Sequence, residues 1–366
     1  MLEVNNTKAA LLRLLNSNYE DESTLVYASV EFTRFCSNIG DHSDKVMSQA
    51  VEFVQKQSGE RKLLIKSFKQ LGGIYLQASN IEKAKKNLQE AERLCLLDPD
   101  AHTHLYGRIL ENIGDIYLLE NALNDAEAYY QKSLGIWKHR NDIYKQGVLY
   151  STLGRLYRRL SKLDEAITLY QSAIQCHESV DAPLSQGENY RGLGWIYISQ
   201  SKFLEAEDAV QKALKFHLAT KSSIHQGNDY QLLGVVYLKL ERPEDAISAY
   251  QRALKCHKLA SSTLGQGNSH QLLGRIYLFQ GKPNEAESSL KKALELHTMA
   301  NNAIGQQGDY SFLGEVYKQR EQFHDAKAMF EKAIYFAKKA QSHVLEKQHK
   351  DSLNAVIAQM KEGGAV

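Results

Sequence analysis

Seven glycines punctuate the chain at a nearly constant interval. Gly114, Gly154, Gly194, Gly234, Gly274 and Gly314 follow one another every 40 residues without a break, and Gly72 precedes them by 42. Close copies of one stretch surround them, clearest from Gln226 to Tyr237, which reads Gln-Gly-Asn-Asp-Tyr-Gln-Leu-Leu-Gly-Val-Val-Tyr. A fixed period in this range is the signature of a solenoid of helical repeats, in which each unit buries its apolar face only against its neighbours.

A solenoid grows by stacking, so 366 residues need not divide into two or three globular domains. Lys and Arg total 45 against 43 Asp and Glu, a net charge of +2. That balance argues against a general nucleic-acid binder, because phosphate affinity comes mostly from clustered positive charge, and it gives no reason to expect a membrane-surface protein. No apolar run approaches the roughly 18 residues that span a bilayer, and Met1 to Asn18 lacks the apolar core of a signal peptide. The expected location is cytoplasmic. The four cysteines agree, since none form a Cys-x-x-Cys. Cys176 and Cys256 stand two periods apart, beyond the roughly 7 Å that a disulfide bridges.

In chain order, residues 1 to 60 lie outside the regular repeat and are expected to form an N-terminal helical cap, with a helix pair over Leu25 to Ile39 and Ser43 to Gln57. From about Arg61 each unit carries two helices. In the third unit, helix A is expected over Leu149 to Leu160 and helix B over Asp164 to Ser179, with Val180 to Ser185, Pro183 included, as connection. Pro243 and Pro283 fall where helix B begins, a position that tolerates the missing N–H. Ser222-Ser223, Ser261-Ser262 and Asn301-Asn302 mark where helix B ends. Residues 341 to 366 are expected to form a C-terminal capping helix and a short tail, with an apolar stripe of Leu345, Leu353, Val356, Ile357 and Met360.

A glycine inside a helix costs about 1 kcal/mol relative to alanine. Seven copies make sense only if each lets helix B approach closely, with the Ala twelve residues later facing the gap. That Ala is invariant along the chain, at 84, 126, 166, 206, 246, 286 and 326, as is the Tyr three residues after each Gly. The combination Leu-Gly-x-x-Tyr, Ala, a bulky residue, Ala resembles the tetratricopeptide repeat over roughly Arg61 to Ala340. The 40-residue period is similar to a subclass that includes Pins-type adaptors, rapsyn, bacterial Rap regulators and the repeat arms of fungal signalling NTPases. The resemblance implies an all-α, right-handed superhelical solenoid of seven helix-turn-helix repeats between N- and C-terminal capping helices. Two departures stand out: the family's Trp at the start of helix A is replaced by Tyr150, Tyr190, Tyr230, His270 and Tyr310, and its Pro after helix B is missing.

In such proteins the outward face of the A helices lines a concave groove that binds peptides. Stepping 100° per residue puts offsets −6, −3, +1, +4 and +5 from each Gly on that face. The third and fourth units then offer Arg155, Arg158, Arg159, Arg191 and Trp195, a locally basic stretch that would suit an acidic peptide. The alternative is a solvated surface. Farther along, Asn228, Gln231, Gln271 and Arg275 share the face with Val235, Leu238 and Leu278. The amides either pair with a ligand backbone or tie neighbouring repeats, and the Asn column, near the expected start of helix A, reads more readily as a cap.

His177, His217, His257 and His297 recur once per repeat. Metal ligands converge to about 2 Å from one ion, whereas equivalent positions here are a helix diameter apart, so the ladder reads as a packing or surface column. No phosphate-binding loop, His-Glu-x-x-His or nucleophile elbow occurs. The resemblance implies a non-enzymatic adaptor for a protein or peptide, with no cofactor, metal, nucleic acid or membrane involved. The alternative is a regulatory sensor, either a Rap-like peptide-responsive switch or the recognition arm of a larger signalling NTPase.

Overall fold

The structure, a computed structural model, describes residues 61–77, 80–98 and 103–362. They fall into two compact units divided after Val180. The expected N-terminal cap and the end of the expected C-terminal tail, residues 363–366, lie outside the described residues.

The first unit contains α1 (Arg61–Gln77), α2 (Ile81–Leu96), α3 (Thr103–Leu119), α4 (Leu123–His139), α5 (Ile143–Arg159) and α6 (Leu163–Ser179). The second contains α7 (Pro183–Ser199), α8 (Phe203–Ala219), α9 (Ser223–Lys239), α10 (Pro243–Leu259), α11 (Thr263–Phe279), α12 (Pro283–Met299), α13 (Ala303–Gln319), α14 (Phe323–Lys339) and α15 (His343–Glu362). No strand occurs among the described residues. Odd-numbered helices take the role of helix A and even-numbered helices that of helix B.

The connection after helix B is shorter than the sequence suggested, three residues (180–182) rather than six, while that between paired helices has the expected three. Between α5 and α6 only Leu160, Ser161 and Lys162 intervene. Ser161 adopts the left-handed conformation, φ 59°, and its N–H bonds to the Arg158 carbonyl while Lys162 N–H bonds to that of Tyr157, at 3.1 and 2.9 Å. These two bonds are the Schellman arrangement, which satisfies carbonyls a helix end would otherwise leave open. Lys162 also starts the next helix, its carbonyl accepting from Ala166 N–H at 3.1 Å. One residue therefore closes one helix and opens the next. Similar bonds recur at Lys202, Arg242, Lys282 and Gln322.

Because three residues suffice, the six residues beyond the common 34-residue repeat go into the helices. Helix A begins at Ile143 rather than near Leu149, and Pro183 is the first residue of α7 rather than part of a connection. Pro243 and Pro283 open α10 and α12 as expected.

The repeated glycines accommodate a large side chain from helix B. A Cβ built on Gly154 would lie 3.0 Å from the Tyr170 ring, and one on Gly114 would lie 2.6 Å from that of Tyr130. The partner thus stands sixteen residues after the glycine. The Ala at twelve is fully buried in every unit, and the Ala206 and Ala286 carbonyls come within 3.7 and 3.2 Å of a Cβ built on Gly194 and Gly274. In the other pairs this seat receives Leu88, Val210, Tyr250, Leu290 or Phe330. Burying such a side chain is worth about 1.5–3 kcal/mol, which outweighs the glycine's helix penalty.

A second glycine, seven residues earlier, makes a second seat. Gly147, Gly187, Gly227 and Gly267 each face the imidazole of His177, His217, His257 or His297, and all four histidines are at most 1% exposed. The histidine ladder is a packing column. In α4 the same place is taken by Trp137, whose ring lies against Gly107. At the end of the second unit, Val356 and Met360 of α15 pack on Ala326 and Phe330 of α14.

Two alanine substitutions should separate seating from helix propensity. Gly114→Ala is expected to destabilise by about 1–3 kcal/mol, the overpacking cost. Gly135→Ala, where a Cβ meets nothing within 4 Å, should stabilise by about 0.5–1 kcal/mol. Urea melts of the two variants check this, and the reverse order would refute the seat.

Candidate functional site

The second unit contains a cavity of about 440 Å³ between α7, α9 and α11. Its walls are Arg191, Trp195, Asn228, Gln231, Leu232, Val235, Asn268, Gln271 and Leu272. Five of the sequence-predicted residues, Arg191, Trp195, Asn228, Gln231 and Gln271, meet there. The others do not. Arg275 lies on α11 outside the cavity, and Arg155, Arg158 and Arg159 belong to the first unit.

Spacing explains the convergence. Residues at offset −3 from the seat glycine of one A helix reach offset −5 of the next, 38 residues on. Arg191 Nη1 stands 3.5 Å from Asp229 Oδ1. Gln231 Nε2 donates to Ser269 Oγ at 2.9 Å and to the Gly265 carbonyl at 3.1 Å. Gln271 Nε2 donates to Asp309 Oδ1 at 2.8 Å and to the Gly305 carbonyl at 3.1 Å. Ser311 Oγ approaches His349 Nδ1 at 3.3 Å, and Gln307 holds the other ring nitrogen of His349. These rungs form a polar ladder along the second unit, and the cavity lies over three of them. For Gln231 and Gln271 the tying role therefore holds, while their side chains also border the cavity.

Arg191, expected in a locally basic stretch, stands among carboxylates. Its Nη2 is 2.5 Å from Glu188 Oε2, its Nη1 faces the fully buried Asp229, and its side chain is only 16% exposed. Glu188 Oε1 is also 3.2 Å from His225 Nε2, and His217 Nδ1 stands 2.5 Å from Asp229 Oδ2. Two carboxylates compensate this guanidinium, so it cannot attract an acidic ligand as an exposed one would. Arg159 in the first unit donates to Asn121 Oδ1 at 3.2 Å, whereas Arg155 remains exposed.

The Asn column is also read differently once helix A is extended. Asn228 is the sixth residue of α9, whose N-cap is Ser222, so a capping role fails. Asn268 Oδ1 stands 3.0 Å from His297 Nε2, which places it against the histidine column. The Asn228 side chain makes no hydrogen bond among the described residues, and it faces the cavity with Trp195, which is 41% exposed.

The ladder's acceptor column escaped sequence reasoning. Its signal was a polar residue, Asp229, Ser269 or Asp309, five residues before each glycine and twelve after each histidine. Burial pushes the Asp229 and Asp309 carboxyls up, against the opposing pull of the hydrogen bonds from His217 and His297. His257 differs: Ser269 replaces the carboxylate, and neither ring nitrogen finds a hydrogen-bond partner. Burial alone holds its imidazole below the ordinary range. Burial is likewise the leading cause of the downward displacement at His177 and His349.

The sign of the pH dependence follows. A histidine with a depressed native pKa takes up its proton more readily in the unfolded chain, so its contribution is intact above about pH 6.5 and declines on acidification. Urea stability should fall as pH is lowered from about 7.5 to about 5.5. Ser269→Asp, which recreates the arrangement of His297, Asp309 and Gln271, should flatten the slope. An unchanged slope in that variant would show that His257 is not the source.

No helix among the described residues is long and apolar enough to cross a membrane. Likewise, none of their His, Cys, Asp and Glu side chains form a group of three able to hold a metal.

No curated protein matches the sequence. Among solved structures, the apo quorum sensor NprR from B. thuringiensis is 15% identical with a TM-score of 0.67, the match covering 91% of this chain and 98% of that one. Apo RapI is 10% identical with a TM-score of 0.61, covering 93% and 100%. A signal transduction ATPase with a tetratricopeptide repeat sensor, from Pyrococcus horikoshii, is 18% identical with a TM-score of 0.64, covering 94% of this chain and 55% of its own. At such identities the likeness is one of fold. Tetratricopeptide repeat family profiles match residues 63–139, 146–219 and 228–298, and a further one residues 310–339. The matches span well over half of the chain, which therefore belongs to the tetratricopeptide repeat family.

Proposed function

We propose that the chain is a non-enzymatic, cytoplasmic interaction protein that holds an extended peptide segment in the cavity between α7, α9 and α11. The observation carrying this reading is the convergence of Arg191, Trp195, Asn228, Gln231 and Gln271 on one space. Asn228 offers a donor and an acceptor to a peptide bond, while Trp195, Val235 and Leu232 form an apolar wall for a side chain. The segment over this unit is uncharged where it meets Arg191, because that guanidinium is already compensated. Arg155, Arg158, Arg159 and Arg275 are proposed as partner contacts outside the cavity. We read residues 61–340 as the repeats that bear these contacts, 1–60 as an N-terminal cap and 341–366 as a C-terminal cap and tail.

A regulatory reading has its own support. The residues that tie successive A helices, Arg191, Gln231 and Gln271, also line the cavity. A ligand contacting them would act on the ties and so on helix spacing. NprR is called a quorum sensor and the Pyrococcus horikoshii protein carries a repeat sensor, names consistent with that role. Small-angle scattering with and without a selected peptide distinguishes a switch, whose profile changes, from a passive adaptor.

Peptides selected from a random display library against the native chain test the cavity itself. Trp195→Ala and Asn228→Ala should each weaken the selected peptides about tenfold or more, in the range of interface hot spots. Binders indifferent to both variants would show that the peptide site lies elsewhere.

A further inference from the structure

A ring of ionisable side chains backs the cavity wall that carries Arg191. Glu188 and Arg191 come from α7, His217 from the last turn of α8, and His225 and Asp229 from the first half of α9. Arg191 joins Glu188 to Asp229, and Asp229 holds His217 Nδ1. Glu188 Oε1 closes the ring, 3.7 Å from His217 Nε2 and 3.2 Å from His225 Nε2. The two imidazoles have their centroids 5.0 Å apart, and His225 Nδ1 stands 2.5 Å from Ser222 Oγ.

With both imidazoles neutral, the two carboxylates outweigh the one guanidinium, and the ring is anionic. Each proton it takes up shifts that balance by one charge, whichever group receives it. Glu188 Oε1, Arg191 Nη1, His217 Nε2 and Asp229 Oδ1 are all buried and make no hydrogen bond among the described residues. Four such atoms in one ring leave bonding capacity that a proton or a ligand group can satisfy. Burial, against the pull of Glu188, holds the His225 imidazole below its ordinary range; His217 and Arg191 lower it further and Asp229 raises it.

The other helices packed on α9 bring different groups. From α10, His257 lies against Gly227, and α11 supplies the uncharged Ser269 to the next rung. The pair of His297 and Asp309 stands behind Gln271, on the α11 side of the cavity. Only the Arg191 side of the cavity therefore combines two carboxylates, a guanidinium and two imidazoles among the described residues.

On the reading that the cavity is the peptide site, we propose that an acidic segment enters it together with a proton: the ring of Glu188, His217, His225 and Asp229 takes a proton from solvent, Glu188 turns to the imidazolium, and Arg191 accepts a carboxylate of the ligand. At neutral pH the anionic ring opposes a ligand carboxylate at this wall. On acidification the same wall favours one. The coupling is reciprocal, so a bound carboxylate raises the ring's affinity for the proton. Arg191 lines the cavity and the two histidines do not, which makes His217 and His225 positioning residues that act through Glu188 and Asp229.

The probes are fluorescein-labelled peptides selected from a random display library on the native chain at about pH 7.5, each remade with Glu or Gln at every position in turn. Those weakened by Trp195→Ala define the cavity. For them, at one position or more, the Glu form should gain on the Gln form by about tenfold between about pH 7.5 and about pH 5.5, the value of one coupled proton. Fluorescence anisotropy reads the ratio, and circular dichroism verifies the fold at both pH values. Calorimetry near pH 6 in two buffers of different ionisation enthalpy should show more proton uptake with the Glu form than with the Gln form. The His225 and Glu188 side chains are 27% and 38% exposed, so their substitution should leave the fold intact. His225→Gln should shrink the pH effect, and Glu188→Gln, which removes one carboxylate, should admit the Glu form already at about pH 7.5. A Glu-to-Gln ratio that is the same at both pH values, or a full pH effect in both variants, would overturn the proton coupling and leave the cavity as the peptide site. A library that yields no peptide weakened by Trp195→Ala would overturn the cavity as the peptide site, and the coupling with it.

Discussion

Close approach of paired helices at glycine is the contact on which the other features depend. Five A helices, α3, α5, α7, α9 and α11, give up a side chain at two points seven residues apart, and the B helix fills them with a large residue at one and, in four of the five pairs, an imidazole at the other. Backbone entropy opposes such glycines, but the buried ring or aliphatic group contributes more than the helix loses. Once the pair is locked in this way, a three-residue connection is long enough, and the residue that ends one helix can start the next. Two 17-residue helices and two such connections fill the 40-residue period.

Much of this was legible in the sequence because the seats repeat. The glycine, alanine and tyrosine columns give the helix pairs, and Pro243 and Pro283 mark two helix starts. Two things were misread for one reason. The stretch from Ile143 to Val148 carries few large apolar residues, so periodicity alone does not extend helix A across it. With α5 begun too late, the Asn column looked like a cap and the connection looked long. The large residue seated at the glycine is harder to read than the alanine beside it, because an invariant small residue is easier to see than a variable large one, and Leu88, Tyr130, Val210 and Phe330 share size rather than identity.

Face assignment by simple helical stepping found the walls of the cavity but not their charge. Compensation at Arg191 depends on Asp229, 38 residues away, and on Glu188 one turn before. Residue type gives the sign of a side chain, whereas its effective field depends on what lies within a few ångströms. A residue that reads as basic in the sequence can thus stand in a cavity wall with its charge already compensated.

The seats and the ladder differ in how far they reach along the chain. A seat glycine and its partner lie sixteen or thirty residues apart, inside one period, so a repeat duplicated or excised whole carries its packing with it. A ladder rung joins residues 38 apart, always across a boundary. Removal of one 40-residue block would leave every helix pair intact, yet bring Arg191 opposite Ser269 instead of Asp229 and strand its charge. Repeats of this chain are therefore interchangeable as packing modules but not as neighbours, and the order in which they follow one another is itself part of what the sequence encodes.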